Sequence, residues 1–172
     1  MKLRNLHQVM ALANGHPSDR DGLTVLEVAR TNLELMHELM DGLQICYALL
    51  YLEGTLHCDA FHEGKDSFGD LGESYGYMGS TVRMENGSLS LRYYYRRPLP
   101  SGKLLRRGIP MKNGRYVRSS FNQAAHDYER ELALMTEEHY AVLRETGKNL
   151  KNAIRKIRES DFMKRYGKHY NK

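Results

Sequence analysis

The chain has 172 residues, 41% of them hydrophobic and 27% charged, with a net charge of +5 and two cysteines. That length supports one domain with a real core, and the composition excludes a wholly disordered chain. No apolar run is long enough to span a membrane, and Met1-Lys2-Leu3-Arg4 does not open a secretion signal, so a cytoplasmic protein is expected.

The charge is segregated. Residues 1–76 carry 5 Lys/Arg and 12 Asp/Glu, whereas residues 77–118 carry 10 and 1. A second basic stretch covers residues 147–172. Segregation of this kind speaks to partners and association rates rather than to fold.

Leu3, Leu6, Met10 and Ala13 predict a short helix in an N-terminal arm, residues 1–20, ended by Asn14-Gly15-His16-Pro17. Thr24-x-x-Glu27 is a capping box, and from Leu26 through Ala29, Leu33, Met36, Met40, Leu43, Tyr47 and Leu50 the apolar positions step by three and four. A long helix is therefore expected over residues 22–58. Its end, Ile45 to Leu52, is apolar on all sides and should be covered by other elements. Cys46 falls in that run and is read as a buried, reduced thiol. Residues 59–76, with four glycines and five acids, read as a loop.

At residue 77 the period changes to two. Asn86-Gly87 supplies the positive-φ pair of a type I′ turn, which pairs Met84 with Leu89 and Val82 with Leu91 and extends the apolar face through Tyr93 and Tyr95. The opposite face shows Arg83, Ser90, Arg92, Tyr94 and Arg96. A second Asn-Gly, Asn113-Gly114, predicts another hairpin between 104–112 and 115–119, with Pro110 marking an edge strand and Lys112 opposite Arg115. The basic meander thus covers 77–119. Ser120-x-x-Gln123 is a further capping box. It opens a helix over 120–158 whose stripe runs Phe121, Ala125, Tyr128, Leu132, Met135, His139, Val142, and a basic tail follows over 159–172. The fold class is α+β: two long amphipathic helices flanking a small antiparallel β-meander of three to four strands, in a single domain over 1–172. The two apolar stripes pack on each other or form a homodimer.

The chemistry points to binding. Arg92, Arg96, Arg97, Arg106, Arg107, Lys112, Arg115 and Arg118, with Arg83 and Tyr94, place phosphate-neutralising groups and an aromatic on one short segment. Lys148, Lys151 and Arg155 align on one side of the last helix as a second phosphate contact. His57-Cys58-Asp59-Ala60-Phe61-His62-Glu63 has ligand types without a metal-site spacing, and His139 sits on the apolar seam as a core histidine. No phosphate loop, nucleophile elbow or HExxH occurs, so no enzyme, catalytic residue, metal or cofactor is expected. The acidic first half carries an alternative. A carboxylate-rich surface imitates a nucleic-acid backbone, which suits a small mobile-element inhibitor or adaptor binding a protein or nucleoprotein partner.

Leu91-Arg92-Tyr93-Tyr94-Tyr95-Arg96-Arg97 between helices, the aromatic-Glu pair Tyr128-Glu129, a later Glu (Glu137 or Glu138) and a basic end together resemble the conjugative-transfer family MobI, over roughly residues 25–158. The resemblance implies a non-enzymatic, DNA-binding accessory protein that assists DNA processing or mobilisation at a transfer origin. Its implied partners are DNA and a relaxase or other transfer protein, with the basic sheet as the DNA contact.

Overall fold

Thr24 opens the longest element. Its hydroxyl accepts from the Glu27 backbone N–H at 3.2 Å, and the Glu27 carboxylate accepts from the Thr24 N–H at 2.9 Å, the reciprocal cap the sequence predicts. The computed structural model describes residues 4–70 and 76–170. Leu3 of the expected first helix, residues 71–75 of the expected loop and the last two residues of the expected tail lie outside the described residues.

The elements are α1 (Leu6–Asn14), a 3₁₀ turn (Pro17–Arg20), α2 (Val25–Asp70), β1 (Met78–Glu85), β2 (Ser88–Pro98), β3 (Leu104–Gly108), a second 3₁₀ turn (Arg118–Phe121), α3 (Asp127–Arg158) and α4 (Asp161–Tyr170). The class is α+β, with two long helices and one three-stranded antiparallel sheet in the order β1-β2-β3. Among the described residues no helix is long and apolar enough to cross a membrane.

The chain divides into two compact units. One comprises the described parts of Met1–Ile45 and Asn152–Lys172; the other is Cys46–Lys151. In the first, Asn5 caps α1, and Arg4 reaches Glu38 at 2.9 Å and Glu34 at 3.4 Å. A cavity of about 520 Å³ lies between α1 and α2. The residues expected to form a tail are helical over α4, because the Ser160 hydroxyl accepts from the Met163 N–H at 3.3 Å and Phe162 and Tyr166 supply an aromatic pair one turn apart.

The second unit holds the sheet. β1 and β2 pair in the predicted register, Met84 with Leu89 and Val82 with Leu91, around Asn86 and Gly87 at φ 50° and 66°. The inner sheet face rests on α2 and α3, which run antiparallel here: Tyr47 and Leu50 adjoin Gly147, His57 stacks on His139, and Phe68 stacks on Tyr128. Tyr93 is the centre of the core. It is fully buried, its ring lies 5.0–5.9 Å from those of Phe61, Tyr116, Phe121 and Tyr140, and its hydroxyl donates to the Ala133 carbonyl at 3.1 Å. Edge-on and tilted ring contacts of this kind add to the area buried.

Four boundaries differ from expectation. α2 continues to Asp70 through the stretch expected to be a loop from residue 59. Gly54 and Gly64 are points of close packing: a Cβ on Gly54 would lie 2.8 Å from Leu91 Cδ2, and one on Gly64 3.0 Å from Leu132 Cδ2. That packing offsets the roughly 1 kcal/mol a helical glycine costs. α3 starts at Asp127 rather than 120, because the Ser120 hydroxyl instead accepts from the Val117 N–H at 3.2 Å and closes the 3₁₀ turn that buries Phe121. The second Asn-Gly turn forms, with Asn113 and Gly114 at φ 52° and 77°, but Lys112 and Arg115 make only an isolated bridge. The strand before it pairs with β2 instead and ends at Gly108. Ile109 then donates to the Tyr93 carbonyl at 2.9 Å and turns inward, and Pro110 has no N–H to extend the ladder.

The expected coverage differs too. Ile45, Leu49 and Leu52 of the run expected to be covered, and Met135 and Val142 of the α3 stripe, are all more than half exposed, and His139 is exposed rather than in the core. The buried cysteine is Cys58, not Cys46, and both are free. Burial pushes the Cys58 thiol above its ordinary value.

The register gives a direct test. Leu91→Asp places a charge at a site 1% exposed and is expected to unfold or aggregate the protein, whereas Arg92→Asp, on the exposed face, should leave the melting temperature nearly unchanged. Equal tolerance of both in thermal melts would mean the faces are swapped.

Candidate nucleic-acid interface

β2 is the central strand and alternates strictly, so its arginines divide between faces. Arg92, Tyr94 and Arg96 point outward with Arg83 of β1 and Arg106 of β3. The cross-strand partners are Thr81 for Arg92, Gly79 for Tyr94 and Arg106 for Arg96. Arg97 and Arg107, at neighbouring positions, lie on the other face of the same strands, exposed beyond the core. The expected cluster is therefore two groups, of which the outward one is the larger.

Tyr94 organises the outward group. Its ring lies across the bare backbone of Gly79, where a Cβ would sit 2.4 Å from Tyr94 Cζ. The Arg106 guanidinium stands 5.0 Å from the ring centroid and that of Arg96 5.7 Å, and Arg96 Nη2 donates to the Tyr94 hydroxyl at 3.2 Å. Such cation–π contacts are worth about 0.5–1 kcal/mol each where exposed. Tyr94 is consequently buried, at 8% exposure, and its ring is not open for stacking on a base. It holds two arginines that face each other directly across the strands. Arg92 is half exposed and paired with Glu85 at 3.1 Å.

The remaining expected residues lie elsewhere. Lys112 donates to the Ser119 hydroxyl at 2.9 Å beside exposed Arg115, and Arg118 pairs with Glu131 at 2.6 Å. Lys148 is exposed on α3, and Lys151 donates to the Ser88 hydroxyl at 2.5 Å, which brings the basic end of α3 to the β1–β2 turn. Arg155 belongs to the other compact unit. In the His57–Glu63 stretch the helix scatters the ligand types. His57 faces His139, with ring centroids 4.1 Å apart, while His62 Nε2 donates to the Ser80 carbonyl at 3.1 Å.

Beneath the sheet lie polar groups that the sequence did not single out as a site. Glu129 is fully buried. Its Oε1 accepts from the Met78 N–H at 2.7 Å and faces Lys65 Nζ at 3.6 Å, and its Oε2 accepts from the Ala125 N–H at 3.1 Å. Lys65 in turn donates to the carbonyls of Gly76 (3.0 Å) and Met78 (2.5 Å); burial pushes its ammonium below the ordinary lysine value, and Glu129 opposes that. Two turns along α3, Glu137 accepts from the Tyr116 N–H at 3.0 Å and pairs with Arg144, whose Nη1 donates to the Leu91 carbonyl at 3.2 Å. Burial pushes the Glu137 carboxyl up, and the Tyr116 N–H and Arg144 hold it down. The signal in sequence was faint: two carboxylates eight positions apart on α3, about two turns, which puts them on the same side of the helix.

Glu129 and Glu137 are among the residues that carry the family resemblance, and they fasten β1 and the segment around Tyr116 to α3. The MobI protein family matches residues 58–158. The chain belongs to the MobI family. MobI proteins are mobilisation-related accessory proteins, not a known enzyme family. No curated protein and no solved structure matches the chain.

Arg144→Leu is expected to cost about 3–5 kcal/mol, because it strands the buried Glu137 carboxylate. The Glu137 pKa is already raised in the folded state, so its stabilising contribution is present in acid and is lost as pH rises through that pKa; removing Arg144 raises it further. The variant's deficit in chemical denaturation should therefore be smaller at about pH 5 than at about pH 8. A deficit independent of pH would show that Glu137 does not need this cation.

Proposed function

We propose that this MobI protein is a non-enzymatic DNA-binding accessory factor, acting in the cytoplasm beside a relaxase or another transfer protein at a transfer origin. The observation that carries the reading is the Arg96–Arg106 pair. Like charges directly opposite on neighbouring strands are destabilising, by about 0.2–1 kcal/mol, yet here Tyr94 holds both guanidinium groups in place on the outward face. A phosphate is the natural counter-charge for that arrangement. Arg83 and Arg92 continue the face along the hairpin, and Glu85 is its one acid among residues 77–118. A two-stranded ribbon of these dimensions fits a major groove, and the Lys148–Lys151 end of α3 supplies a second backbone contact near the hairpin turn.

Preorganised arginines lose little side-chain entropy on binding, whereas cations on exposed helix ends lose more. Accordingly the triple change Arg92→Ala, Arg96→Ala and Arg106→Ala should weaken binding to random-sequence duplex more than Lys164→Ala with Arg165→Ala on α4. Each lost phosphate contact should also reduce the magnitude of the log–log salt slope by about 0.9 for duplex or about 0.7 for single strands. Titrations at several salt concentrations measure both quantities. Binding that is insensitive to salt, or a triple variant with the parent slope at unchanged melting temperature, would overturn the assignment of this face.

A further inference from the structure

The outer side of the two-helix layer is as distinctive as the sheet and opposite in character. On α2, Leu49, Leu52 and Leu56 are 56%, 54% and 61% exposed; on the adjoining stretch of antiparallel α3, Met135 and Val142 are 66% and 59% exposed. The stacked His57–His139 pair lies between the helices at this level. Each helix thus offers apolar side chains over about 10 Å of its length, at spacings of three, four or seven residues. Clustered exposed apolar side chains rimmed by polar residues mark interaction sites.

The charge around it is predominantly negative. Exposed Glu53 and Glu63 flank the leucines on α2, and exposed Glu138 and Glu145 flank Met135 and Val142 on α3. Among the described residues of this unit, α2 holds one cation, Lys65, which is buried against Glu129. The cations of α3 between Asp127 and Gly147 are Arg130, paired with Asp127, and Arg144, paired with Glu137. The face therefore presents leucines and carboxylates, and the exposed cation at its edge, Arg118, is already paired with Glu131 one turn before Met135.

We propose that this face docks a basic amphipathic helix of a partner protein, its apolar stripe laid along the groove between α2 and α3 and its lysines or arginines against the glutamates. Complementarity selects that occupant. Nucleic acid and anionic lipid are repelled by the carboxylates, and a second copy of this chain would bring the same glutamates against themselves. The partner helix would present its own i, i+3, i+4 and i+7 anchors to the groove. The surface lies on the opposite side of the unit from the outward arginines, so the inference does not rest on the proposed DNA contact.

The probe is a fluorescein-labelled synthetic helical peptide with leucine along one face and lysine elsewhere, titrated into the full chain by fluorescence anisotropy. Its counterpart has glutamate in place of every lysine. The lysine peptide should bind and the glutamate peptide should not. Leu56→Ser with Val142→Ser, and separately Glu53→Gln with Glu138→Gln, should each weaken binding by about tenfold or more, at unchanged melting temperature because all four positions are exposed. Equal binding of the two peptides, or parent affinity in either double variant, overturns the proposal. So does sedimentation showing a parent dimer that Leu56→Ser with Val142→Ser converts to monomer, since a second copy would then cover the face.

Discussion

Two buried carboxylates on one helix decide where everything else in the sheet-bearing unit can sit. Glu129 accepts from the first residue of β1 and Glu137 from the backbone at Tyr116, while Lys65 and Arg144 supply the cations and also donate to the Gly76, Met78 and Leu91 carbonyls. Desolvating such pairs can cost more than their attraction returns, so their contribution is better read as positional than as net stability. Any other register of β1 or of the 109–117 segment against α3 leaves a buried charge or a backbone N–H without its partner. With the inner face fixed in this way, strand alternation leaves Arg83, Arg92 and Arg96 no place but the outside.

This arrangement also explains which parts of the fold were legible in the sequence. The hairpin register followed from Asn86-Gly87 and period-two alternation, and the start of α2 from Thr24 and Glu27, because those signals are local and nothing distant competes with them. The inner face of α3 was not legible. Counting apolar steps selects Leu132, Met135, His139 and Val142, yet the sheet packs on Glu129, Ala133, Thr136, Glu137 and Tyr140. Small and ionic residues share the inner face with Tyr140 and Leu143 because the strands need close approach and polar partners there, which leaves Met135 and Val142 outside. Gly54 and Gly64 misled for the same reason: in isolation they break helices, and here they admit Leu91 and Leu132.

For the candidate site, alternation was enough to group Arg83, Arg92 and Arg96, and the pairing of β3 with β2 added Arg106. It also set Arg97 on the other face of β2, but it could not place Arg107, since which strand partners β3 was not readable. Nor could it show that Tyr94 lies under its arginines rather than beside them, because that depends on the missing side chain of Gly79 across the strand.

The proposed function gains physical sense from the separation of the two outer faces. In the Cys46–Lys151 unit the arginine-bearing side of the sheet and the glutamate-bearing side of the helices are kept apart by a layer of helices about 10 Å thick and by the sheet itself. Screening over about 8–10 Å at ordinary ionic strength means that phosphates on the sheet would feel little of Glu53 or Glu138. The low net charge of the chain is therefore no measure of either surface. On the proposed reading, an acidic helix layer would also repel nucleic acid from the wrong side, so that encounter would favour approach with the sheet forward. A factor built this way can hold DNA on one face and leave the other free for a protein, which is the geometry an accessory component needs if it is to bring a catalyst to its substrate without supplying chemistry of its own.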